Sequence, residues 1–401
     1  MAARSSTDTQ SRPPVPASPA TRWDIFCNVV DHFGDIGVSW RLARQLREEH
    51  GMAVTLYVDD LESFRRLCPA VDADAPTQLV EDITVHRWVE AMRFERPADV
   101  VIDAFGSRAP PAYLEAMSKR PSRPVWINLE YLSAEDWVED CHRVPSPHPR
   151  LPLTRFFFFP GFTAGTGGLL EERHLAQQRL SFLGSAEARA AAWARWECEP
   201  PSGERTQISL FGYGGPSVPT LLRAWADGSE PIRLLVPEGR VLDDVARFAG
   251  KGALRAGDRA SLGALDIAVL PIRTQADYDQ LLWLCDCNFV RGEDSFVRAQ
   301  WAEHPFVWNI YPQTGGAHWA KLHAFIHRYG EGMDADAMVA VREFWRLWNR
   351  GETSSTTLGQ AWRRFWLLRE DLQAHNAGWA AKMRTLGNLT ANLVRFAVER
   401  L

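Results

Sequence analysis

Residues 23–58, which read WDIFCNVVDHFGDIGVSWRLARQLREEHGMAVTLYV, contain the pattern from which the fold class can be predicted. Residues 23–30 form an apolar run of the kind found in buried strands. From 38–46 the apolar side chains recur every 3.6 residues, which predicts a helix, and Gly51 suits its C-terminal cap. Residues 53–58 again read as a strand. A strand, a helix and a second strand in this order predict a parallel sheet with helices on its faces.

The same alternation continues along the chain of 401 residues. That length exceeds one ordinary core and favours two domains separated by a cleft. We predict an α/β protein with two Rossmann-like domains and a disordered tail. The predicted bounds are 1–21 for the tail, 22–185 for the N-terminal domain, 186–379 for the C-terminal domain and 380–401 for a helix packing back on the first domain. Further predicted strands lie at 83–86, 100–103, 125–128, 207–211, 232–236, 265–270 and 288–290.

Composition excludes several classes of protein. Lys and Arg number 45 against 50 Asp and Glu, a net charge of -5, so we expect no nucleic-acid partner. No apolar run reaches the roughly 18–20 residues that span a bilayer, and the first 21 residues lack the apolar core of a signal peptide. The six cysteines are scattered and form no usual zinc motif. We therefore expect a cytoplasmic protein with reduced thiols, no membrane segment and, by default, a monomer.

Two carboxylates, Asp31 and Asp35, follow the first predicted strand. Loops at the carboxyl ends of strands in open α/β sheets are where ligands bind, and Gly34 and Gly37 allow the backbone to approach one closely. These acids are candidates for catalysis. Equally, Asp31 fits a helix cap and Asp35 a solvated acid in the first helical turn. The loop lacks Gly-x-Gly-x-x-Gly spacing, which disfavours a dinucleotide cofactor.

A second strand, turn and helix start occupies residues 287–300. Gly292 permits a tight turn, Ser295 can donate a hydroxyl, and the amides of 293–296 can hold a diphosphate without a metal. The alternative is a capped helix in which Asp294 or Ser295 is the N-cap and Arg291 pairs with a surface acid. On this segment alone the two interpretations have equal weight.

Aromatic side chains recur beside the predicted loops of the second domain. A planar base needs flat apolar faces and an amide that reads its edge, which Gln275 can supply. Each aromatic residue taken singly fits the hydrophobic core as well as a ligand site. The candidates are Phe211, Tyr213, Tyr278 and Tyr311.

Two long segments resemble the family of arginine rhamnosyltransferases that modify elongation factor P. Residues 29–46 resemble that family's N-terminal signature, and residues 291–300, with 305–308 and 310–313, its C-terminal one. Ser39 and Asn309 depart from the family pattern, where Cys and His are usual. The resemblance implies a GT-B glycosyltransferase, with two Rossmann-like domains facing across a cleft, that transfers L-rhamnose from dTDP-β-L-rhamnose to an arginine side chain with inversion.

The resemblance also implies roles for individual residues. Asp35 would be the general base, Asp31 a neighbouring acid and Glu293 a third essential carboxylate near the donor. No metal or other cofactor is expected. The nucleotide would be surrounded by Phe211, Tyr213, Gln275, Tyr278 and Tyr311, and its ribose or diphosphate contacted by Arg291, Asp294 and Ser295.

Two alternatives remain open at this point. One is a nucleotide-sugar transferase or epimerase with another substrate, and the other is a non-catalytic nucleotide-sugar sensor. If the chain is instead the arginine rhamnosyltransferase that the resemblance implies, the position of Asp35 predicts that elongation factor P docks as a folded domain on the N-terminal half.

Overall fold

The computed structural model describes residues 21–30, 33–89, 92, 94, 96–201 and 203–401. The predicted disordered tail, apart from its last residue, and the candidate carboxylate Asp31 lie outside the described residues. Among the described helices none is both long and apolar enough to cross a membrane.

An eight-stranded sheet forms the first domain, in the order β3-β4-β2-β1-β5-β6-β8-β7. The six inner strands are parallel, whereas the edge strands β3 and β7 are short and antiparallel. Short edge strands limit unwanted pairing with other chains. The strands are β1 Arg22–Cys27, β2 Ala53–Val58, β3 Thr77–Val80, β4 Ile83–Arg87, β5 Val100–Ala104, β6 Val125–Leu129, β7 Pro145–Pro147 and β8 Thr154–Phe158; the helices are α1 Gly34–His50, α2 Leu61–Leu67, α3 Pro111–Lys119 and α4 Trp137–Cys141.

A six-stranded sheet forms the second domain, in the order β11-β12-β10-β9-β13-β14. Only its edge strand β11 runs antiparallel to its neighbour. The strands are β9 Thr206–Leu210, β10 Ile232–Pro237, β11 Arg259–Leu262, β12 Leu265–Leu270, β13 Cys287–Arg291 and β14 Phe306–Asn309. The remaining helices are α5 Leu175–Gly184, α6 Ala186–Arg195, α7 Ser217–Ala226, α8 Leu242–Phe248, α9 Gln275–Leu284, α10 Asp294–Ala302, α11 Ala317–Tyr329, α12 Ala335–Arg350, α13 Ser355–Leu367, α14 Arg369–Thr385 and α15 Leu389–Val398.

The chain crosses between the domains twice. Helices α5 and α6 already pack on the second core, through Leu175, Phe182 and Ala192, so the predicted boundary at 185/186 falls between two helices of that domain. At the other end α14 still packs on the second core, whereas Leu393 and Phe396 of α15 are buried in the first. The last helix thus ties the end of the chain to the first sheet.

The β1-α1-β2 unit has the form expected from its sequence. Gly51 ends α1 with φ of 66°, and its N–H donates to carbonyls of the last turn. β1 pairs in parallel with both β2 and β5, which places it at the centre of the sheet. The loop after β1 therefore opens at the middle of the carboxyl edge, where α1 begins.

Candidate active site

The carboxyl ends of the two sheets contribute to one cleft. A cavity of 270 Å³ lies where the loops after β1 and β6 meet the loops after β9, β13 and β14. Its walls include Asp35 and Tyr131 from the first domain, and Glu293 and Tyr311 from the second. Two predicted carboxylates, far apart in sequence, thus face the same space.

Asp35 lies in the first turn of α1 and is only 3% exposed. Its Oδ2 accepts a hydrogen bond from the backbone N–H of Val30 at 2.9 Å, and the Tyr131 hydroxyl bonds to its side chain. Burial, reinforced by the charges of Asp35 and Glu293, raises the pKa of Tyr131, so this hydroxyl stays protonated. The interpretation of Asp35 as a solvated surface acid is wrong. Its carboxylate is held in place at the N-terminus of α1.

Glu293 comes from the turn between β13 and α10, where Gly292 adopts φ of 60°. Its Oε1 accepts a hydrogen bond from the backbone N–H of Leu132 at 3.0 Å. Tyr131 and Leu132 are consecutive, so one loop of the first domain contacts both carboxylates. The predicted N-caps Asp294 and Ser295 are wrong, because the N-cap position is that of Glu293.

A second, narrower cavity of 60 Å³ shares Gly34 and Gly292 with the first, so the two are parts of one cleft. Most of the residues predicted to bind a nucleotide line it. They are Phe211, Gln275, Tyr278, Arg291, Asp294 and Ser295. The other two, Tyr213 and Tyr311, line the carboxylate-bearing cavity.

The Arg291 guanidinium contacts aromatic rings of both cavities, Phe211 of the narrower one and Tyr213 of the other. Its guanidinium carbon is 4.6 Å from the ring centre of Phe211 and 4.7 Å from that of Tyr213, both within cation–π distance. Tyr213 in turn meets Tyr311 edge to face at 5.2 Å. A buried cation braced by two aromatic rings is a suitable group for an anionic ligand.

The Ser295 hydroxyl is used inside its own turn. It accepts the Arg291 N–H at 3.0 Å and donates to the Arg291 carbonyl oxygen. Ser295 therefore holds the backbone of Arg291 at the end of β13. Ser295 also lines the narrower cavity, where it can contact a ligand, but its hydroxyl already has two backbone partners.

Gln275 and Asp294 contact the first domain as well as the cavity. The Gln275 amide nitrogen donates to the Gly37 carbonyl oxygen at 2.9 Å and to Asp294 Oδ2 at 3.1 Å, while Asp294 Oδ1 accepts from Arg41 Nε at 2.7 Å. Burial raises the pKa of Asp294, and the nearby Arg41 opposes that shift. Gln275 Oε1 is buried and has no hydrogen-bond partner among the described residues. This oxygen is an acceptor available to a ligand in the narrower cavity.

The loop after β9, a glycine-rich segment around Tyr213, is held by contacts that no sequence pattern indicates. Gly214 and Gly215 have φ of 89° and 121°, and the Gly215 N–H donates to Asp244 Oδ2 at 2.6 Å. The backbone N–H of Tyr213 donates to Asn309 Oδ1 at 2.8 Å. Sequence reasoning missed Tyr131, although it follows the predicted strand at 125–128 and a search of strand ends would have found it.

The described residues contain no group of three or more His, Cys, Asp or Glu side chains arranged to hold a metal ion. The six cysteines are free thiols in the structure: Cys27, Cys68, Cys141, Cys198, Cys285 and Cys287.

Known proteins match this chain along almost its full length. A protein arginine rhamnosyltransferase of Pseudomonas putida is 50% identical over 374 residues, which cover 93% of this chain and 98% of that protein. One from Pseudomonas aeruginosa is 45% identical over 94% of this chain and 99% of its own length. A solved structure described as the structural basis for EarP-mediated arginine glycosylation of translation elongation factor EF-P is 37% identical, covers 95% of this chain and 99% of its own, and superposes with a TM-score of 0.68.

These matches confirm the predicted resemblance and, with the two facing sheets, the GT-B fold class. The family model for the elongation-factor P (EF-P) rhamnosyltransferase EarP matches residues 23–398. This chain therefore belongs to the EarP family of glycosyltransferases.

Proposed function

We propose that this protein transfers L-rhamnose from dTDP-β-L-rhamnose to an arginine side chain of elongation factor P, with inversion at the anomeric carbon. One observation carries the proposal: Asp35 and Glu293, from opposite domains, line a single cavity of 270 Å³ that opens onto an aromatic cavity containing Arg291. One part of the cleft suits a cationic acceptor and the other an anionic donor.

The acceptor half of the reaction needs a carboxylate. A guanidinium is protonated at neutral pH and its lone pairs are delocalised, so it is a poor nucleophile. Asp35, held by Val30 and Tyr131, can orient the guanidinium and take its proton while the nitrogen attacks. A carbon–nitrogen bond forms at the anomeric carbon, and the bond to the diphosphate oxygen breaks on the opposite face. Glu293 adds a second negative charge that stabilises the developing positive charge on the sugar.

The donor half needs positive charge and a base-reading group. As the sugar bond breaks, dTDP leaves with the electron pair and gains charge, which Arg291 and the first amides of α10 can stabilise. Phe211 and Tyr278, whose rings are 5.8 Å apart, offer apolar faces to a base. The buried Oε1 of Gln275 supports recognition of thymine, since the N3–H of this base would satisfy it.

We propose that transfer proceeds without a metal ion, because Arg291 and the helix amides meet the charge of the diphosphate. Activity should be unchanged after the enzyme is dialysed against EDTA. Loss of transfer in EDTA, with recovery on adding Mg²⁺, would contradict this part of the proposal.

We also propose that the acceptor docks as a folded domain on the N-terminal half. Two adjoining cavities of 410 and 580 Å³ run along the carboxyl edge of the first sheet, the edge at which Asp35 lies, and both are lined by Arg108 and Leu114. Two adjoining cavities with a combined lining of this extent suit a folded surface better than a single side chain. An unstructured arginine peptide modified as efficiently as the whole acceptor would contradict the docking.

The deciding experiment measures the intact mass of elongation factor P after incubation with this protein and dTDP-β-L-rhamnose. The expected result is a gain of one deoxyhexose that is lost with Asp35→Asn. The matched control is Asp336→Asn, since Asp336 is also a first-turn acid but lies exposed on α12. No gain with folded proteins would refute the donor or the acceptor assignment. Release of free sugar, or its epimerisation, would favour a different nucleotide-sugar enzyme.

A further inference from the structure

A buried ion network joins the two domains behind the cleft. Its centre is Arg41 of α1, six residues beyond Asp35 and only 3% exposed. Arg41 Nε donates to Asp294 Oδ1 at 2.7 Å, Nη1 to Glu172 Oε1 at 3.1 Å, and Nη2 to Asp279 Oδ1 at 3.0 Å. All three nitrogens of one guanidinium thus bind carboxylates that lie outside the first sheet.

A second guanidinium, that of Arg298 on α10, completes the network. It is 2% exposed, binds both oxygens of Asp279 at 2.9 and 2.8 Å, and reaches Glu172 Oε2 at 2.7 Å. Burial acts to raise the pKa of Glu172, but Arg298 and Arg41 outweigh it and hold that pKa far below its usual range. Burial likewise opposes the charged form of Arg41, and the surrounding carboxylates more than compensate. Glu172 and the two arginines therefore hold one another in their charged forms.

The network connects the two helices that bear on catalysis. Asp294 follows Glu293 directly, and Gln275 bonds both to Asp294 and to the carbonyl of Gly37, two residues after Asp35. α1 is thereby held against α10 at two points, through Arg41 and through Gln275. A shift of either helix would separate Asp35 from Glu293.

Buried ion pairs are a weak source of stability, because desolvation offsets most of their attraction, but they can specify one geometry. Arginine suits this task because its planar fork binds several carboxylates in fixed directions, which the single ammonium of lysine cannot do. The identity of residue 41 therefore matters beyond its charge.

We infer that Arg41 is a positioning residue for sugar transfer: it sets Asp35, on the first domain, at its working distance from Glu293 and from the donor held by the second. The inference rests on the proposed function. Arg41 lines neither cavity of the cleft, so its effect should fall on the rate of the chemical step.

The test compares Arg41→Lys with wild type in steady-state rhamnosyl transfer. We expect kcat to fall on the order of tenfold to a hundredfold, because small misplacements of reacting groups cost rates of this size. The KM for dTDP-β-L-rhamnose and the Kd for dTDP should stay within about threefold, because residue 41 itself does not line the donor cavity. The matched control is Arg179→Lys: Arg179 is also buried, but it binds Ala302 and Glu303 at the far end of α10.

Equal losses of kcat in the two variants, or a kcat within twofold of wild type for Arg41→Lys, would overturn the inference. If Arg41→Lys does not fold, Glu172→Gln replaces it, since Glu172 is about one-third exposed and touches both arginines. A fall in its kcat of at least threefold with unchanged dTDP affinity supports the inference, and an unchanged kcat refutes it.

Hydrogen exchange separates failure of this inference from failure of the proposed function. Arg41→Lys should speed amide exchange in both 34–40 and 292–298, whereas Arg179→Lys should leave 34–40 unaffected. This readout needs no transfer activity. Unchanged exchange at 34–40 in Arg41→Lys would refute the coupling even if wild type proved to use another donor.

Discussion

The substitution Gln275→Glu tests how the donor cavity and the domain interface share one side chain. The side chain keeps its shape, but its amide donor becomes an acceptor. In the wild type the Gln275 amide nitrogen donates to the Gly37 carbonyl oxygen at 2.9 Å and to the Asp294 carboxylate at 3.1 Å. In the variant both partners would face a carboxylate oxygen in a buried setting.

The cost follows from these two contacts. An unsatisfied buried carbonyl costs about 1–3 kcal/mol. Two carboxylates about 3 Å apart repel by roughly 5 kcal/mol at an effective dielectric constant of about 20, an upper bound because the new group can take up a proton instead. We expect a net loss of about 3–5 kcal/mol at pH 8, which lowers Tm on the order of 10 °C.

The loss should depend on pH. Burial and Asp294 raise the pKa of the new carboxyl above its unfolded value of about 4.3, so the native state holds a proton that the unfolded state releases. The stability deficit relative to wild type therefore grows as pH rises from about 4.3 to the raised pKa and is constant above it. Thermal unfolding at pH 5 and pH 8 measures the difference.

The matched control is Gln280→Glu on the same helix, where the side-chain oxygen accepts from Arg195 and a carboxylate gains an ion pair worth at most about 1 kcal/mol. Titration calorimetry should also show dTDP affinity reduced at least tenfold for Gln275→Glu, because a negative charge would then line the cavity proposed to bind the dTDP anion. A Tm within 2 °C of wild type at pH 8 would contradict this prediction.

Three further predictions test other parts of the molecule. Tyr131→Phe removes the hydroxyl bonded to the proposed base, so kcat should fall about tenfold with little change in dTDP affinity; an unchanged kcat would show that this bond is not needed. Gly214→Ala places a Cβ 2.6 Å from Asp244 Oδ2 and should weaken dTDP binding, whereas Gly257→Ala, with nearly the same φ and open space, should not. Burial raises the pKa of Asp24 to about 6, so this carboxyl binds a proton on folding. The free energy of unfolding of wild type should therefore fall by about 3 kcal/mol between pH 4 and 6, whereas that of Asp24→Asn should not. Parallel curves of Tm against pH for the two proteins would contradict this.

The alternation of strands and helices could be predicted because the sequence patterns that indicate it are local. The apolar period of α1, its glycine cap and the buried runs of β1 and β2 each depend on neighbours within a few residues. β8 was not predicted, although residues 156–158 of its Phe run are in it. Periodicity cannot assign such a continuous apolar run, and its place beside β6 depends on a partner about 30 residues away.

The site was predicted in part. Asp35 and Glu293 stand in loops directly after predicted strands, where topology alone puts ligand-binding groups, and the resemblance named them as catalytic. The partners that hold them, Tyr131 and Leu132, carry no motif. For Gln275 and Asp294 the nucleotide contacts stay a prediction, and the structure adds bonds across the domain interface that no local pattern indicates.

The α/β class, the family and the loops that bear the carboxylates could thus be predicted from the sequence, because short-range periodicity and long motifs encode them. Which side chains contact one another could not be predicted in this way and is seen in the folded protein. The Leu132–Glu293 bond joins residues 161 positions apart, and the Arg41–Asp294 pair joins residues 253 apart. Such contacts form only when the two domains pack against each other. A charged side chain buried between them must then be paired with an opposite charge, and that partner is distant in the sequence.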